Sequence, residues 1–217
     1  ADGWAWVQAD RDGYVGYLRA EALGEPGIGP LPTHRVRLLR TPLFPEPDIK
    51  APPRDFLSFL TPVAAVGERG RFVERAGGGW LFTGHLAGHD ESLGDPVETA
   101  HRFLNAPYLW GGRSFYGVDC SGLVQLAFAA AGLELPRDSD QQESCAALGA
   151  RLPRDATPER GDVIFWKGHV AIALDAASVL HATAAPLLVT VEALAAVDAR
   201  ARAASPEGIT AIRRPQD

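Results

Sequence analysis

The chain has 217 residues, and its 46% hydrophobic and 22% charged residues are typical of a globular protein with one or two domains. Its net charge of -6 argues against nucleic-acid binding, as do its scattered basic residues, which are grouped no more densely than Arg200 with Arg202 and Arg213 with Arg214. No apolar run reaches the ~20 residues that cross a bilayer and no signal-peptide pattern is visible, so we expect no membrane span and a cytoplasmic location, with a periplasmic or secreted one still open.

A short repeat is visible in the N-terminal part of the chain. Residues 16–23 (GYLRAEAL) and 79–86 (GWLFTGHL) share a glycine, an aromatic residue, a leucine and, after four further residues, a second leucine. Each block follows an apolar segment typical of a strand, at 4–8 and at 71–75. Glycine turns between these segments predict hairpins, and the prolines crowded between 26 and 62 exclude helix there. Both repeats are therefore predicted to be all-β.

This repeat resembles bacterial SH3-like (SH3b) domains. On this resemblance residues 34–89 form one small barrel, whereas residues 1–25 match only the C-terminal half of such a barrel and lack its N-terminal strands. We therefore predict small SH3-like units, the first of them partial, ahead of a third domain.

The pattern changes from β to helical near residue 95. Asp95 is suited to cap a helix that begins at Pro96, because proline is favoured in the first helical position. After a glycine-rich loop, an almost wholly apolar segment predicts a buried helix that ends at Gly132. From Asp162 onwards five apolar segments have the pattern of strands. Residues 95–217 are therefore predicted to form an α+β domain with helices packed on an antiparallel sheet.

One of the two cysteines, Cys120, directly follows Asp119, a suitable N-cap for the buried helix. Unpaired amides and the helix dipole favour an anion there, so we expect a lowered thiol pKa and a thiolate available as a nucleophile. The same amides are suited to stabilise the oxyanion of a tetrahedral intermediate. A small buried residue that packs the helix on the sheet is an equally acceptable reading of Cys120 alone. Cys145 is expected to have no role, since two cysteines make no disulfide framework here.

Two of the six histidines, His169 and His181, fall on adjacent predicted strands. If residues 175–177 connect these strands, Leu174 pairs with Ser178. His169 then becomes a diagonal neighbour of His181, ~7–8 Å away at the backbone and within side-chain hydrogen-bonding reach. The predicted pairing therefore brings the two imidazoles together.

The two faces of the first of these strands differ in size. The face of His169 is otherwise small, with Ala171 and Ala173, and the opposite face carries larger side chains: Val170, Ile172 and Leu174. The large face is expected to pack in the core. The small face leaves room for another element, and we expect the start of the cysteine helix to lie there and to present Cys120 to His169.

A thiol, a base and a group that orients the base are the parts needed for covalent catalysis. In this interpretation His169 takes the proton of Cys120 and later gives it to the leaving amine, and His181 holds His169 in its working tautomer. The alternative for a single strand histidine is a satisfied polar residue in a half-buried sheet. A zinc site is a further use of one cysteine and two histidines, but the spacings typical of zinc ligands are absent. No metal and no cofactor is expected.

The segments around these residues resemble the NlpC/P60 family of papain-like cysteine peptidases, in the order APYLWGGRSFYGVDCSGLVQ, LPRDSDQQ, GDVIFWKGHVAIAL and VLHA. The resemblance covers about residues 95–214. It implies a papain-like fold with Cys120 as the nucleophile, His169 as the base and His181 as the third polar residue. It also implies that Tyr108 lies beside the nucleophile and helps to bind or polarise the substrate.

Members of this family cleave peptidoglycan stem peptides, commonly between γ-D-glutamate and the following diamino acid. The combination with SH3b domains resembles the γ-D-glutamyl-L-diamino acid endopeptidases, which act on stem peptides with a free N-terminal L-Ala and whose SH3b domain closes one end of the cleft. Because a free ammonium needs a carboxylate partner, the resemblance implies substrate-binding roles for polar side chains of both domains: Asp12, Tyr14, Asp119, Ser121 and Ser139. A hairpin turn is the alternative role for Asp12, and Asp119 can combine helix capping with binding.

The predicted function is a cysteine endopeptidase for L-Ala-γ-D-Glu-diamino acid peptides in cell-wall recycling or turnover. Three alternatives rest on the same features: a wall-lytic endopeptidase acting on intact peptidoglycan, an amidase or acyltransferase of the same fold, and a peptidoglycan-binding protein without catalysis. The sequence specifies neither the diamino acid nor an oligomeric state, and a monomer is consistent with it.

Overall fold

The computed structural model describes residues 3–24 and 29–216. The ends of the first predicted unit at residues 1, 2 and 25, the start of the proline-rich segment at 26–28 and Asp217 lie outside the described residues. The predicted domain boundaries stay a prediction, and the elements are described below in the three regions that those boundaries suggest.

The N-terminal region is a single hairpin. It consists of β1 (Trp4–Gln8) and β2 (Val15–Arg19), followed by one turn of 3₁₀-helix at Ala20–Ala22. The repeat seen in the sequence has the same structure further on, where two paired strands are again followed by a 3₁₀ turn, at Thr83–His85. The shared glycine, aromatic residue and leucine therefore mark the same hairpin in both copies.

The second region contains eight strands in three small antiparallel sheets. In chain order they are β3 (His34–Val36), β4 (Arg40–Leu43), β5 (Asp55–Ser58), β6 (Pro62–Val63), β7 (Ala65–Arg69), β8 (Phe72–Arg75), β9 (Trp80–Phe82) and β10 (Leu86–Gly88). The sheets have the orders β10-β3-β6, β4-β5 and β7-β8-β9. Their inward side chains form a small apolar core of Val36, Leu43, Val63, Val73, Leu81 and Leu86. The described part of this region has no α-helix, as its prolines predict.

The third region has helices packed on a six-stranded antiparallel sheet, which confirms the predicted α+β class. Its elements are α1 (Pro96–His101), β11 (Arg113–Ser114), β12 (Gly117–Val118), α2 (Cys120–Ala130), α3 (Ser139–Ser144), β13 (Ala150–Leu152), β14 (Val163–Trp166), β15 (His169–Ala173), β16 (Ser178–Thr183), β17 (Leu188–Ala193), α4 (Leu194–Ala204) and β18 (Ile209–Arg214). The strand order in the large sheet is β13-β18-β14-β15-β16-β17. No helix in the described parts of the chain is long and apolar enough to cross a membrane.

Both predicted helix starts are confirmed by their hydrogen bonds. The Asp95 carboxylate accepts from the backbone amides of Val97 and Glu98, at 2.6 and 3.0 Å, at the first turn of α1. Asp119 caps α2 by accepting from the amide of Gly122. All eleven residues of α2 are buried, so the helix is held by burial on every side rather than by one apolar face.

The predicted position of the cysteine helix on the sheet is wrong. Helix α2 packs on the face of β15 that carries the large side chains Val170 and Ile172, in one core with Leu123. The small face, with Ala171 and Ala173, is covered by α4 instead. The large side chains do face a core, as the pattern indicates, but α2 itself provides that core.

The second region contacts the C-terminal end of α2. The Arg35 side chain is buried and donates to the carbonyl oxygens of Ala129 and Ala130, at 3.1 and 3.3 Å. These carbonyls belong to the last turn of the helix, where regular helical hydrogen bonds end. Arg35 adds to the backbone amides of Gly132 and Leu93, which donate to Ala129 and Ala130 respectively. The ring of Phe59 also packs edge to face on Phe103, with 5.9 Å between centroids. The helix that begins with Cys120 is therefore held at its last turn by the second region.

Candidate active site

Cys120 is the first residue of α2, and its side chain reaches the surface only at the floor of a cleft, where the residue is 8% exposed. The helix is buried along its whole length, and this burial determines where its first turn lies. The backbone amide of Val170, in β15, faces the sulfur. The cysteine is therefore held at the junction between the start of α2 and the start of β15.

The pKa of the Cys120 thiol is raised, not lowered as the helix start alone predicts. Burial is the largest cause, and the negative charge of Asp119 adds to it. The backbone amides of Val170 and Ser121 oppose the rise but do not cancel it. In the resting protein the thiol is therefore protonated, and a base must remove its proton during the attack on a substrate.

The predicted histidine pair is present. Leu174 donates its amide to the carbonyl of Ser178, so the predicted register of β15 against β16 is confirmed. Nε2 of His169 lies 2.8 Å from Nδ1 of His181. Because this contact occupies Nε2 of His169, only its Nδ1 is left to meet the thiol. Their catalytic roles stay a prediction at this point, but the spacing suits a base and its orienting group.

The chain of polar contacts continues beyond His181, which is fully buried. Nε2 of His181 lies 2.9 Å from Oε2 of Glu192, in β17. Arg200, in α4, donates to both oxygens of Glu192, at 3.0 and 2.6 Å. The sequence interpretation missed both residues. Glu192 is nevertheless predictable, because it is a diagonal cross-strand neighbour of His181 in the β16–β17 pair, just as His169 is in the β15–β16 pair.

Both histidines are neutral in the folded protein at neutral pH. Burial is the main cause that lowers the pKa of His169, to about 3, and His181 and Arg200 lower it further against an opposing effect of Glu192. Burial also lowers the pKa of His181 and outweighs its hydrogen bond with Glu192. A neutral His169 has a ring nitrogen without hydrogen, which is what a general base requires.

These shifts predict an acid-sensitive stability. A free histidine in the unfolded chain takes up a proton near pH 6.5, whereas the folded protein resists protonation of His169 down to about pH 3. The contribution of neutral His169 is therefore complete above pH 6.5 and is lost as the pH falls below it. We expect the free energy of unfolding in urea to fall by up to about 1.4 kcal/mol per pH unit between pH 6.5 and 5 through His169. His181, whose pKa is also lowered, adds in the same direction.

The matched variants are His169→Asn and His89→Gln, the latter at an exposed residue outside the large sheet. We expect the pH slope to be shallower in His169→Asn and unchanged in His89→Gln. Equal slopes in His169→Asn and the wild type would contradict the assignment of a neutral, buried His169.

The Asp119 carboxylate accepts hydrogen bonds from four donors within the protein. Its Oδ1 accepts from the amide of Gly122 at 2.7 Å and from the hydroxyl of Ser121 at 3.3 Å. Its Oδ2 accepts from the amide of Gly111 at 2.8 Å and from Arg137 at 2.6 Å. The capping role of Asp119 is therefore confirmed, and its role in substrate binding stays a prediction.

Arg137 joins Asp119 and Ser121 into one buried network. Its guanidinium donates to Ser121 Oγ at 2.8 Å as well as to Asp119. Burial lowers the pKa of Arg137, but the hydrogen bond and charge of Asp119, with smaller effects of Asp138 and Tyr14, raise it overall. The sequence interpretation missed Arg137, and its place in the LPRDSDQQ segment, two residues before Ser139, is the signal that the sequence offers.

Gly122 is required by the way in which the preceding loop packs on α2. A Cβ at this position would overlap the carbonyl oxygen of Gly112 and would come within 2.9 Å of Asp119 Oδ1. The same Gly112 carbonyl accepts from the amide of Asp119. The glycine after Cys120 and Ser121 therefore lets the loop lie directly on the first turn of the helix.

The N-terminal hairpin docks beside the same helix. Asp12, in the turn between β1 and β2, accepts from Arg113 at 2.9 Å and from Gln125 of α2 at 3.0 Å. Its side chain is only 4% exposed, so it serves as an anchor between the hairpin and α2. Tyr14, two residues later, is 46% exposed, and Ser139 begins α3. Substrate contacts of all three residues stay a prediction.

A cleft of about 510 Å³ extends from Cys120 towards α4. Two of the three predicted catalytic residues, Cys120 and His169, line this cleft, together with Tyr108. Burial raises the pKa of Tyr108, and Cys120 and Asp119 add to this, so its hydroxyl stays a hydrogen-bond donor. The farther walls carry Trp110, Trp166, Lys167, Val197, Arg200 and Ala201. Asp12, Asp119, Ser121 and Ser139 do not line this cleft.

In residues 3–24 and 29–216, no three His, Cys, Asp or Glu side chains are grouped so that they could hold a metal ion. Both cysteines are free thiols. The chemistry that this arrangement supports is nucleophilic attack by a thiol with a histidine base.

Comparison with known proteins agrees with this arrangement. Residues 105–197 match the model of the NlpC/P60 family, and residues 1–23 match that of the bacterial dipeptidyl-peptidase Sh3 domain. Dipeptidyl-peptidase 6 of Lysinibacillus sphaericus is 36% identical over 87 residues, which cover 40% of this chain and 31% of that protein. The γ-D-glutamyl-L-lysine dipeptidyl-peptidase of Bacillus subtilis is 38% identical over 95 residues, with the same two coverages. The matched part is thus about a third of the length of these relatives.

The fold has a close counterpart among solved structures. The crystal structure of an NlpC/P60 family protein from Bacillus cereus superimposes with a TM-score of 0.76, over 99% of this chain and 76% of that chain, at 22% sequence identity. The likeness extends through the N-terminal β regions as well as the large sheet. The predicted fold, an NlpC/P60 domain preceded by small SH3-like units, is confirmed.

Proposed function

Because this chain carries a domain of the NlpC/P60 family of cysteine peptidases, we propose that it is a cysteine endopeptidase that cleaves the γ-D-Glu–diamino acid bond of free peptidoglycan stem peptides. The observation that carries the proposal is the contact of His169 with His181, at 2.8 Å, on strands that meet the buried helix beginning with Cys120. The curated relatives named as dipeptidyl-peptidases support the class of bond.

In the proposed reaction, Nδ1 of His169 takes the thiol proton while the sulfur of Cys120 forms a bond with the γ-carbonyl carbon of D-glutamate. The carbonyl electron pair moves to oxygen, and the amides at the start of α2 stabilise this oxyanion. When the oxyanion collapses, the C–N bond breaks, and the imidazolium of His169 gives its proton to the leaving amine. Water then hydrolyses the thioester with His169 again as the base.

The preference for a free N-terminal L-Ala is supported by the docked hairpin. Asp12 anchors the hairpin to Gln125 of α2, which places Tyr14 next to the network of Arg137 and Asp119. A wall at this end of the groove would admit the short L-Ala end of a released peptide and would exclude a peptide still attached to glycan. Recognition of the amine by Asp119 or Asp12 belongs to this proposal.

Diaminopimelate is the diamino acid that we propose for the leaving position. The leaving amino acid is expected in the cleft that Cys120 and His169 line. Lys167 lies at its lip and forms no ion pair within the described residues, whereas Arg200 is held by Glu192. An unpaired ammonium attracts the additional carboxylate of diaminopimelate, which lysine lacks.

A role in cell-wall recycling, and with it a cytoplasmic location, is part of the same proposal, since free stem peptides are its substrate. Fractionation of cells that express the natural protein tests this location. Recovery of the protein outside the cytoplasm would favour the alternative of a wall-lytic enzyme.

The test of the proposed function is incubation with the tripeptide L-Ala-γ-D-Glu-diaminopimelate, followed by mass spectrometry of the products. We expect L-Ala-γ-D-Glu and free diaminopimelate, with slower cleavage of the N-acetylated peptide and of the peptide that ends in lysine. No cleavage of any of the three would reject the peptidase assignment. If the acetylated peptide is cleaved as fast as the free tripeptide, only the free-amine requirement is rejected. If the lysine peptide is cleaved as fast as the diaminopimelate peptide, only the role of Lys167 is rejected.

A further inference from the structure

We propose that Glu192 is a positioning residue of the catalytic apparatus, which holds His181 in the Nε2–H tautomer and thereby leaves Nδ1 of His169 as the base for Cys120. The kinetic part of this inference rests on the proposed function. The tautomers do not depend on any substrate, and they follow from the contacts together with the charge states of the three side chains.

Arg200 keeps the Glu192 side chain in its charged, carboxylate form. Arg200 donates to both carboxylate oxygens, and the Arg200 hydrogen bond is the main cause that holds the pKa of Glu192 below its usual range. An ionised carboxylate has no hydrogen to donate. The 2.9 Å contact between Glu192 Oε2 and His181 Nε2 is therefore a hydrogen bond in which the nitrogen is the donor.

This bond determines the state of the next ring. His181 is fully buried and neutral, so it carries a single hydrogen, which lies on Nε2. Its Nδ1 is then an acceptor, and the 2.8 Å contact with His169 must be donated by Nε2–H of His169. His169 is also neutral, so its Nδ1 has a free electron pair. One carboxylate therefore determines the tautomers of two imidazoles in series.

The charged and titratable groups of this chain of contacts come from five elements. Cys120 lies in α2, His169 and His181 lie in β15 and β16, Glu192 lies in β17, and Arg200 lies in α4. During the reaction His169 becomes positively charged, and Glu192 is the one carboxylate among these groups. Glu192 therefore also stabilises the imidazolium of His169. Arg200 weakens this effect, because its positive charge lowers the pKa of His169.

Glutamine is the informative replacement at this site. The Glu192 side chain is 24% exposed, so an amide of the same shape can be accommodated without a buried, unpaired charge. The amide can donate to Nε2 of His181, which permits the opposite tautomer. Nδ1–H of His181 would then donate to Nε2 of His169, and the hydrogen of His169 would lie on Nδ1, where it blocks proton transfer from the thiol.

The first experiment is a long-range ¹H–¹⁵N correlation spectrum of the histidine rings at pH 7.5. In the wild type we expect both His169 and His181 to carry hydrogen on Nε2. In Glu192→Gln we expect a second population with hydrogen on Nδ1. A wild-type spectrum with His181 protonated on Nδ1, or tautomers that do not change in Glu192→Gln, would overturn the proposal.

The second experiment is kinetics on the L-Ala-γ-D-Glu-diaminopimelate tripeptide. We expect Glu192→Gln to lower kcat about 10- to 100-fold while KM changes less than about threefold, and Glu192→Asp to recover part of the loss because it keeps the charge. The matched control is Glu159→Gln, which removes an exposed carboxylate also paired with an arginine, Arg214, but away from the histidines. If Glu192 had a merely structural role, Glu192→Gln would have a lower melting temperature. Its kcat, measured at a temperature below that melting point, would then be unchanged.

The two experiments separate this inference from the proposed function. If the wild type does not cleave the tripeptide but shows the expected tautomers, the proposed substrate is wrong and the role of Glu192 in setting the tautomers stands. If the wild type cleaves the tripeptide and Glu192→Gln has an unchanged kcat, the proposed function stands and the positioning role is rejected.

Discussion

Replacement of Cys120 by serine is expected to lower kcat/KM for the stem tripeptide by on the order of 10⁴-fold or more. A hydroxyl is far less acidic than a thiol, and the raised pKa of Cys120 shows that this environment does not stabilise an anion in the resting state. His169 would have to remove a proton from a poorer acid with the same geometry. Loss of the nucleophile in a catalytic unit is usually as severe as loss of the whole unit.

The matched control is Cys145→Ser. Cys145 is half-buried and follows α3, and its backbone carbonyl, not its thiol, accepts from Arg213. We expect the activity of this variant to stay within about twofold of the wild type, as for a substitution outside the catalytic unit. Mass spectrometry after iodoacetamide treatment during turnover provides a second measurement, with protection by substrate expected at Cys120 alone. Equal loss of activity in the two variants, or none in either, would contradict a thiol mechanism at Cys120.

The parts of the site that are predictable from sequence depend on short-range rules. The capping of α1 by Asp95 and of α2 by Asp119 follows from residue type next to an apolar segment. The meeting of His169 with His181 follows from hairpin register, because side chains alternate in a strand and a short connection fixes the pairing. These features need only a few neighbouring residues, and they were predicted correctly.

The parts that were missed depend on how elements pack. Helix α4 has the sequence LAAVDARARAA, whose alanines favour a helix, but it has no capping side chain and only one buried residue, Val197, so its sequence does not indicate where the helix packs. Without α4, the small face of β15 appeared vacant, and α2 was assigned to it. Arg200 was missed for the same reason, because its contact with Glu192 exists only once α4 lies on the sheet. Glu192 itself follows from the register of β16–β17.

The direction of the Cys120 pKa shift shows the limit of arguing from one local effect. A helix start lowers the pKa of a thiol that is exposed to solvent. Here burial and the neighbouring charge of Asp119 outweigh that effect. The sequence indicates both the helix and Asp119, but it does not give the degree of burial, and burial is the larger cause.

Replacement of Arg137 by methionine is expected to destabilise the protein by about 3 kcal/mol, because it leaves a buried carboxylate without its counter-charge. The side chains of Arg137 and Asp119 are only 5% and 11% exposed, at a separation of 2.6 Å. Asp119 would keep the amides of Gly111 and Gly122 and the hydroxyl of Ser121 as donors, so the loss is expected at the lower end of the range for a broken buried pair. Urea denaturation at pH 7 measures it.

The control for Arg137 is Arg160→Met, since Arg160 also pairs with a helix-capping aspartate, Asp95, at 2.7 Å but with both side chains more than 40% exposed. There we expect a loss of no more than about 1 kcal/mol, because solvent screens the pair. The double variant Asp119→Asn with Arg137→Met removes both charges and is expected to be more stable than Arg137→Met alone. Similar losses at Arg137 and Arg160 would mean that the buried pair contributes no more than an exposed one. A loss confined to Arg137 would mean that the first turn of α2, and with it the position of Cys120, depends on a charge located seventeen residues further along the chain.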